Sequence, residues 1–121
     1  MTRYLTWEQL MRVAEAAVGH PVELRDAGLV ESALYRPQSS VFGADAYSTL
    51  ELKAAALLQS LATNHGLVDG NKRTAVGATY AFLRLNGVRL ALSEDDLVQL
   101  ALDVANKHLT TVEEIADRLQ S

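Results

Sequence analysis

Apolar residues recur every three or four positions along most of the chain, which is the spacing of one face of an α-helix. Thr6 and Gln9 are spaced as a capping box, in which each side chain accepts a hydrogen bond from the other residue's backbone. Leu5 and Leu10 flank this pair at the positions that pack together across a helix start. The pattern therefore predicts a first helix that begins after Thr6 and ends at Gly19, a residue type that often terminates helices.

A second, shorter helix is predicted from Asp26 through Leu34. Asp26 has a side chain that accepts hydrogen bonds well at the start of a helix. Pro37 closes the segment, because the residue before a proline is disfavoured in the helical conformation. Residues 37–47 follow as the longest predicted loop, or a short flap.

Two longer helices are predicted in the middle of the chain. Ser48 and Glu51 have capping-box spacing and open a helix that ends near Thr63. This helix is apolar over much of its circumference, so we expect it at the centre of the domain. The next helix is predicted over residues 71–86, with Gly87 as its left-handed C-terminal cap.

The last third of the chain repeats the same cap signals. Ser93 with Asp96, and Thr111 with Glu114, predict two further helices. The segment Val88–Leu92 is rich in residues typical of strands, but it is short. The sequence therefore predicts an all-α fold, a compact bundle of about six helices.

Composition agrees with a folded protein and narrows its class. The chain has 121 residues, of which 49% are apolar and 21% charged, so we expect residues 1–121 to form a single domain. Its net charge is −4, so the protein lacks the basic surface typical of DNA-binding proteins. Cysteine is absent, which excludes disulfides, thiolate metal sites and cysteine nucleophiles. The longest aliphatic run, Ala54–Leu58, is far shorter than a membrane span, so a cytoplasmic location without membrane contact is expected.

One stretch departs from the regular pattern. Residues 65–74 read HGLVDGNKRT and place Lys72 and Arg73 in the first turn of the predicted fourth helix. The free N–H groups make that end positive, and each cation there is disfavoured by roughly 0.3–1 kcal/mol. The first turns of four of the five other predicted helices instead carry a glutamate: Glu8, Glu51, Glu94 and Glu113. A bound anion would relieve the repulsion.

The neighbouring residues suggest which anion. Gly70 would let a phosphate approach the helix N–H groups, and Lys72 and Arg73 would add charge-assisted hydrogen bonds. Asp69 would suit this place if it held a divalent cation that bridges phosphate oxygens. His65 would lie at the end of the preceding helix and act as a proton acceptor. The combination indicates phosphoryl or nucleotidyl transfer.

Each of these residues also has a purely structural interpretation. His65 could contact a helix end, and Asp69 or Asn71 could cap the fourth helix. The Gly-Asn pair alone is a turn signal. Lys72 and Arg73 could be solvated or could pair with a glutamate of another helix.

Other common hydrolase sites are not indicated. Neither His20 nor His108 belongs to an H-x-x-x-H pair, which disfavours a zinc hydrolase. The serines lack the flanking glycines of a nucleophile elbow, which disfavours a serine hydrolase.

The stretch HGLVDGNKRT resembles the signature of the Fic/Doc family, roughly H-x-F-x-D/E-G/A-N-K/G-R, and is closest to its Doc ("death on curing") toxin side. The resemblance extends over nearly the whole chain and implies the Fic/Doc fold, in which this motif joins two central helices. Residues 37–47 would correspond to the flap that positions target chains in the family. Leu67 stands where the family usually has Phe, and it would anchor the loop in the core.

The resemblance implies a role for each residue of the motif. His65 would be the catalytic base that deprotonates the acceptor hydroxyl, and Asp69 would help to hold Mg²⁺ at the phosphates of ATP. The nucleotide phosphates would be bound by four consecutive residues: Gly70, Asn71, Lys72 and Arg73.

Doc toxins are kinases that move the γ-phosphate of ATP to a threonine of elongation factor Tu and so halt translation, whereas Fic enzymes transfer AMP. Lys72 stands where Fic enzymes have a second glycine, and Val76 where they have a second arginine, so the resemblance favours a Doc-type kinase. AMP transfer is the alternative, and a catalytically silent helical binding module is a third possibility. The sequence shows no inhibitory-helix motif, which implies inhibition by a separate antitoxin protein.

Overall fold

The computed structural model describes residues 1–120, and six α-helices account for most of them. The helices are α1 (Trp7–Val18), α2 (Ala27–Tyr35), α3 (Leu50–Thr63), α4 (Asn71–Leu85), α5 (Glu94–Ala105) and α6 (Val112–Gln120). A 3-10 turn, Arg36–Gln38, follows α2, and a hairpin of two short antiparallel strands, β1 (Ser40–Val41) and β2 (Ala44–Asp45), precedes α3. The predicted all-α bundle of about six helices is confirmed.

Most of the predicted caps are present. The Thr6 hydroxyl accepts from the Gln9 N–H at 3.1 Å, and the Gln9 side chain accepts from the Thr6 N–H at 2.9 Å. Gly19 ends α1 in the left-handed conformation, with φ +77°. One predicted cap was wrong by a residue: Thr49, not Ser48, accepts from the Leu52 N–H at 3.1 Å. Ser48 and Thr49 are adjacent hydroxyl residues with the same local signal. The backbone conformation at the helix start decides which of them is the cap.

The later helices begin and end close to their predicted positions. Ser93 caps α5, and Thr111 and Glu114 exchange hydrogen bonds at the start of α6. The fourth helix stops at Leu85, and Gly87 then takes a φ of +76°. Residues 88–92, all within the described part of the chain, form no strand.

The centre of the bundle is α3, as its apolar circumference predicted. It packs against α2, α4, α5 and α6, and every residue from Ala54 to Leu58 is buried. Phe82 of α4, Leu100 of α5 and Ile115 of α6 meet it with 1% or less of their surface exposed. No helix within residues 1–120 is long and apolar enough to cross a membrane.

Candidate active site at the junction of helices α3 and α4

The HGLVDGNKRT stretch forms the tight connection between α3 and α4 and the first turn of α4. Asn64 ends α3, and His65 follows with a φ of +54°. Glycine is the usual residue at this position of a helix end, because other residues pay about 1 kcal/mol or more for the left-handed conformation. His65 nevertheless occupies it, and its side chain is exposed. The fold therefore holds an imidazole in solvent at the end of the central helix.

The connection is hydrogen-bonded to the segment that precedes α2. Leu67 is 4% exposed and forms an antiparallel bridge with Leu24. The Gly66 carbonyl accepts from the N–H groups of Arg25 and Asp26, at 2.8 and 3.0 Å. Leu67 thus anchors the loop in the core. Although leucine is smaller than the family's phenylalanine, the loop keeps its backbone hydrogen bonds to the segment before α2.

Two glycines are needed for this loop to pack. A Cβ atom at Gly66 would lie 2.5 Å from Cγ2 of Val30, closer than any real contact. Gly70 has a φ of +80°, and a Cβ there would collide with the side chain of Val18. Both positions therefore require glycine for space, and Gly70 requires it for backbone conformation as well.

The side chain of Asn71 stabilises the loop through two hydrogen bonds. Its Oδ1 accepts from the Leu67 N–H at 3.0 Å, and its Nδ2 donates to the Leu67 carbonyl at 3.0 Å. The amide is therefore engaged with the loop backbone. The backbone N–H of Asn71 remains free for a ligand, together with the second N–H of its side-chain amide.

The start of α4 differs from the other five helix starts. Side chains of Thr6, Asp26, Thr49, Ser93 and Thr111 accept at the starts of the other α-helices. Gly70 is the N-cap of α4 and has no side chain, and the first backbone bond runs from Thr74 N–H to its carbonyl at 2.8 Å. The structural interpretation in which Asp69 or Asn71 caps α4 was therefore wrong. Three backbone N–H groups, those of residues 71–73, are left without an acceptor within residues 1–120.

The two cations of this turn behave differently. The Lys72 side chain is exposed and has no hydrogen-bond or ion-pair partner within residues 1–120. Nη1 of Arg73 donates to the carbonyl of Ala17 at 3.0 Å, in the last turn of α1. That turn has no basic residue of its own, so Arg73 stabilises the negative end of α1. Neither cation pairs with a glutamate in the part of the chain that the structure describes.

The remaining predicted site residues are exposed and close in the chain to this turn. Asp69 precedes the N-cap, and neither its carboxylate nor the His65 ring has a hydrogen-bond partner within residues 1–120. The same residues contain no group of three His, Asp or Glu side chains that would hold a metal ion. A Mg²⁺ ion at Asp69 would therefore complete its oxygen shell with water and phosphate, as this ion commonly does. The donor set fits a metal that arrives with a nucleotide.

A family model and two curated proteins match this chain over much of its length. The model of the Fic/DOC family matches residues 4–83, which include α1, α2, α3, the connection described above and most of α4. The chain belongs to the Fic/Doc family. This family membership confirms the resemblance drawn from the motif.

Two curated members of the family align over most of the chain. "Toxin Doc" of Mycolicibacterium smegmatis is 51% identical over 110 residues, which cover 91% of this chain and 83% of that protein. "Protein kinase doc" of Escherichia phage P1 is 29% identical over 121 residues, which cover 98% of this chain and 94% of that protein. Both similarities place the chain on the Doc side of the Fic/Doc family.

Proposed function

We propose that this protein is a toxin that transfers the γ-phosphate of ATP to a serine or threonine hydroxyl of a translation factor, such as elongation factor Tu. The observation that carries the proposal is the uncapped start of α4, where free N–H groups and the exposed Lys72 and Arg73 follow the exposed His65 and Asp69 within one short stretch of chain. The name of one relative, a toxin, supports the toxin role, and the name of the other, a protein kinase, supports phosphate transfer.

In this proposal His65 is the catalytic base. Its exposed ring accepts the proton of the acceptor hydroxyl while the oxygen bonds to the γ-phosphorus. The bond between that phosphorus and the β–γ bridging oxygen breaks, and ADP leaves. The product is a phosphate ester on the acceptor, and the imidazolium returns its proton to water.

The start of α4 binds and orients the phosphates. The N–H groups of residues 71–73 and the positive end of the helix attract phosphate oxygens, and Lys72 adds a mobile charge. The Ala17 carbonyl holds one nitrogen of Arg73 and leaves the other donors of the guanidinium for the ligand. Asp69 would help to hold Mg²⁺, which would neutralise part of the charge on the phosphates.

The hairpin of β1 and β2 is the candidate flap for the acceptor chain. Its turn is made by Phe42 and Gly43, with φ values of +51° and +80°. Both strands are exposed, and the Phe42 ring is fully exposed at the tip. An open strand edge with an apolar tip suits the addition of an extended segment of another protein.

AMP transfer by the same site is the second candidate. The uncapped α4 start would equally attract the α-phosphate of ATP. Lys72 occupies the place of a glycine in Fic enzymes, and its bulk narrows the approach to the turn. Val76, where those enzymes have a second arginine, is half-buried against the core and supplies no charge. Both residues favour γ-phosphate transfer.

The proposal also includes a partner and a location. The partner is a separate antitoxin protein that covers the site, as the name of the relative "Toxin Doc" suggests. Such a toxin meets elongation factor Tu and ATP in the cytoplasm, where we place this protein.

The test uses ATP labelled separately at the α and γ positions, with Mg²⁺, purified protein and elongation factor Tu. Label that reaches the factor only from the γ position supports the kinase, and label from the α position supports AMP transfer. If neither label is transferred, and His65→Ala inhibits growth as strongly as the parent chain, the protein is a silent binding module and the proposed function is wrong.

A further inference from the structure

Lys53 is a lysine buried inside the central helix. It lies at the end of the first turn of α3, next to an unbroken run of buried apolar residues, and only 2% of its surface is exposed. Lysine is almost never buried to this extent without a partner, because its ammonium loses its hydration. Its partners therefore indicate why the chain keeps it there.

Both partners of Lys53 lie at the base of the flap. Nζ is 3.0 Å from Oδ2 of Asp45, the last residue of β2, and it also donates to the carbonyl of Tyr47. The Asp45 side chain is 63% exposed, so the ammonium reaches from the core to the edge of solvent. One buried charge thus joins the flap to the helix that carries the active site.

Arg36 provides a second attachment at the same place. Its Nε donates to the Tyr47 hydroxyl at 2.9 Å, and its guanidinium lies 5.4 Å from the centre of the Tyr47 ring. Its Nη1 donates to Gln59 and Ser60 of α3, at 2.8 and 3.0 Å. Tyr47 is therefore held through its carbonyl by Lys53 and through its side chain by Arg36.

The flap depends on these attachments for its position. Every residue of β1 and β2 is exposed, so the hairpin buries no apolar side chain of its own in the core. A two-stranded hairpin is at best marginally stable by itself in water. Besides the Tyr47 ring, which is partly buried against the core, the polar contacts at Asp45 and Tyr47 therefore fix the hairpin relative to α3.

The contacts bear on catalysis through α3. Lys53 and the end of the helix at Thr63 lie on one rigid element about 15 Å long, and His65 follows directly. We infer that Lys53 is a positioning residue that sets the place of the flap, and so of the acceptor segment, relative to His65. This inference rests on the proposed function, in which the flap receives the acceptor.

The choice of lysine supports a positioning role over a stabilising one. A well-packed apolar residue at a buried site is often as stabilising as an ion pair, or more so, because it avoids the desolvation cost. The Lys53 ammonium instead holds two acceptors of the flap, the Asp45 carboxylate and the Tyr47 carbonyl, in fixed positions relative to α3. Lys53→Met tests the distinction, because methionine fills a similar volume and leaves the exposed Asp45 carboxylate in water.

The main measurement is hydrogen exchange of the flap amides in Lys53→Met. We expect the amides of residues 40–46 to exchange roughly tenfold faster or more, as loss of a charge-assisted attachment implies, with α3 and α4 unchanged. We also expect the KM for the acceptor protein to rise while the KM for ATP stays constant. Flap exchange at the parent rate would overturn the inference.

Two further variants complete the experiment. Lys107→Met makes the same chemical change at an exposed lysine without a side-chain partner in residues 1–120, and it should leave flap exchange unchanged. Asp45→Asn changes an exposed residue and retains a neutral acceptor, so it should give a smaller increase and decides the question if Lys53→Met does not fold. Parent-like flap exchange in Asp45→Asn would then contradict the inference.

The exchange result is independent of the proposed function. If the parent protein transfers no phosphate, the proposed function fails in that assay, while flap exchange still shows whether Lys53 positions the hairpin. If the parent transfers phosphate and Lys53→Met frees the flap without raising the acceptor KM, the positioning role fails and the kinase stands.

Discussion

Nη1 of Arg73 lies 3.0 Å from the carbonyl oxygen of Ala17, so a side chain from the first turn of α4 caps the last turn of α1. A cation that the helix dipole disfavours at one helix start is favoured at the neighbouring helix end. This contact explains why the fold tolerates Arg73. Lys72 has no such compensation within residues 1–120, so it is the stronger reason to propose an anion site here.

Arg73→Ala should therefore reduce stability as well as phosphate transfer. Loss of one hydrogen bond to an exposed helix end should lower the free energy of unfolding by about 0.5–1.5 kcal/mol, measured by urea denaturation. Arg12→Ala, at an exposed arginine of α1 without a side-chain partner in the described residues, is the control. Equal stability of the two variants would show that the Ala17 contact contributes nothing in solution.

Lys72→Ala should separate the two cations. With no partner to lose, it should leave the free energy of unfolding within about 0.5 kcal/mol of the parent or raise it, because a cation leaves a positive helix end. The KM for ATP should rise at the same time. A variant that loses stability but binds ATP as the parent does would contradict the assignment of Lys72 to the phosphates.

Gly70→Ala tests whether the turn before α4 needs glycine for space. Gly19 has a similar φ, +77° against +80°, but a Cβ there would meet nothing within 4 Å. Gly19→Ala should therefore cost only the backbone term, about 1 kcal/mol, and Gly70→Ala distinctly more. Adding Val18→Ala to Gly70→Ala should recover part of the difference. No recovery in urea denaturation would show that the Val18 contact is not the cause.

Asn71→Ala should disrupt the loop. The N–H and carbonyl of Leu67, a residue that is 4% exposed, would both lose their partner, at a cost of about 1–3 kcal/mol in the free energy of unfolding. Asn106→Ala, at an exposed helix end, should cost less. Equal losses in the two variants would mean that the Asn71 amide does not hold the loop.

Acid should weaken the ion pair between α5 and α6 and the hydrogen bonds at the start of α6. The hydrogen bond from Gln99 holds the pKa of Asp103 below its usual value despite some opposing desolvation, and Arg118 and His108 add to the effect. The hydroxyl of Thr111, with the N–H groups of Thr110 and Thr111, likewise lowers the pKa of Glu114. A carboxyl whose pKa is lowered by folding stabilises the protein above its unfolded pKa, near 4, and loses that contribution as pH falls through the folded value.

The measurement is the free energy of unfolding between pH 7 and pH 3. The parent should lose stability below about pH 4.5, and Asp103→Asn and Glu114→Gln should each lose less over that range. A parent-like slope in both variants would show that these carboxylates are not paired in solution.

Local signals predicted the helices well because a cap and its acceptor lie three residues apart. The pairs at Thr6, Asp26, Ser93 and Thr111 all formed as predicted, and the error at Ser48 was one of adjacent, chemically equivalent residues. The candidate site lies within ten consecutive residues, so its composition was visible as well.

Contacts between distant residues were not visible in the sequence. Arg73 and Ala17 are 56 positions apart, and no local pattern joins them. In the sequence, a lysine within an apolar helix resembles an ordinary exposed position. Only the fold shows that the flap covers Lys53. The amide of Asn71 resembled a ligand contact or a cap, whereas it bonds to the loop behind it.

The most direct test of the central claim is the rate of phosphate transfer from Mg²⁺-ATP to elongation factor Tu by the parent and by His65→Gly. Glycine suits the left-handed φ of +54° at this position, so the variant should be at least as stable as the parent, and a lost rate would not reflect unfolding. We predict transfer of one phosphate by the parent and a rate roughly 10²–10⁴-fold lower in the variant, as for loss of a general base. Transfer at the parent rate by His65→Gly would contradict the account.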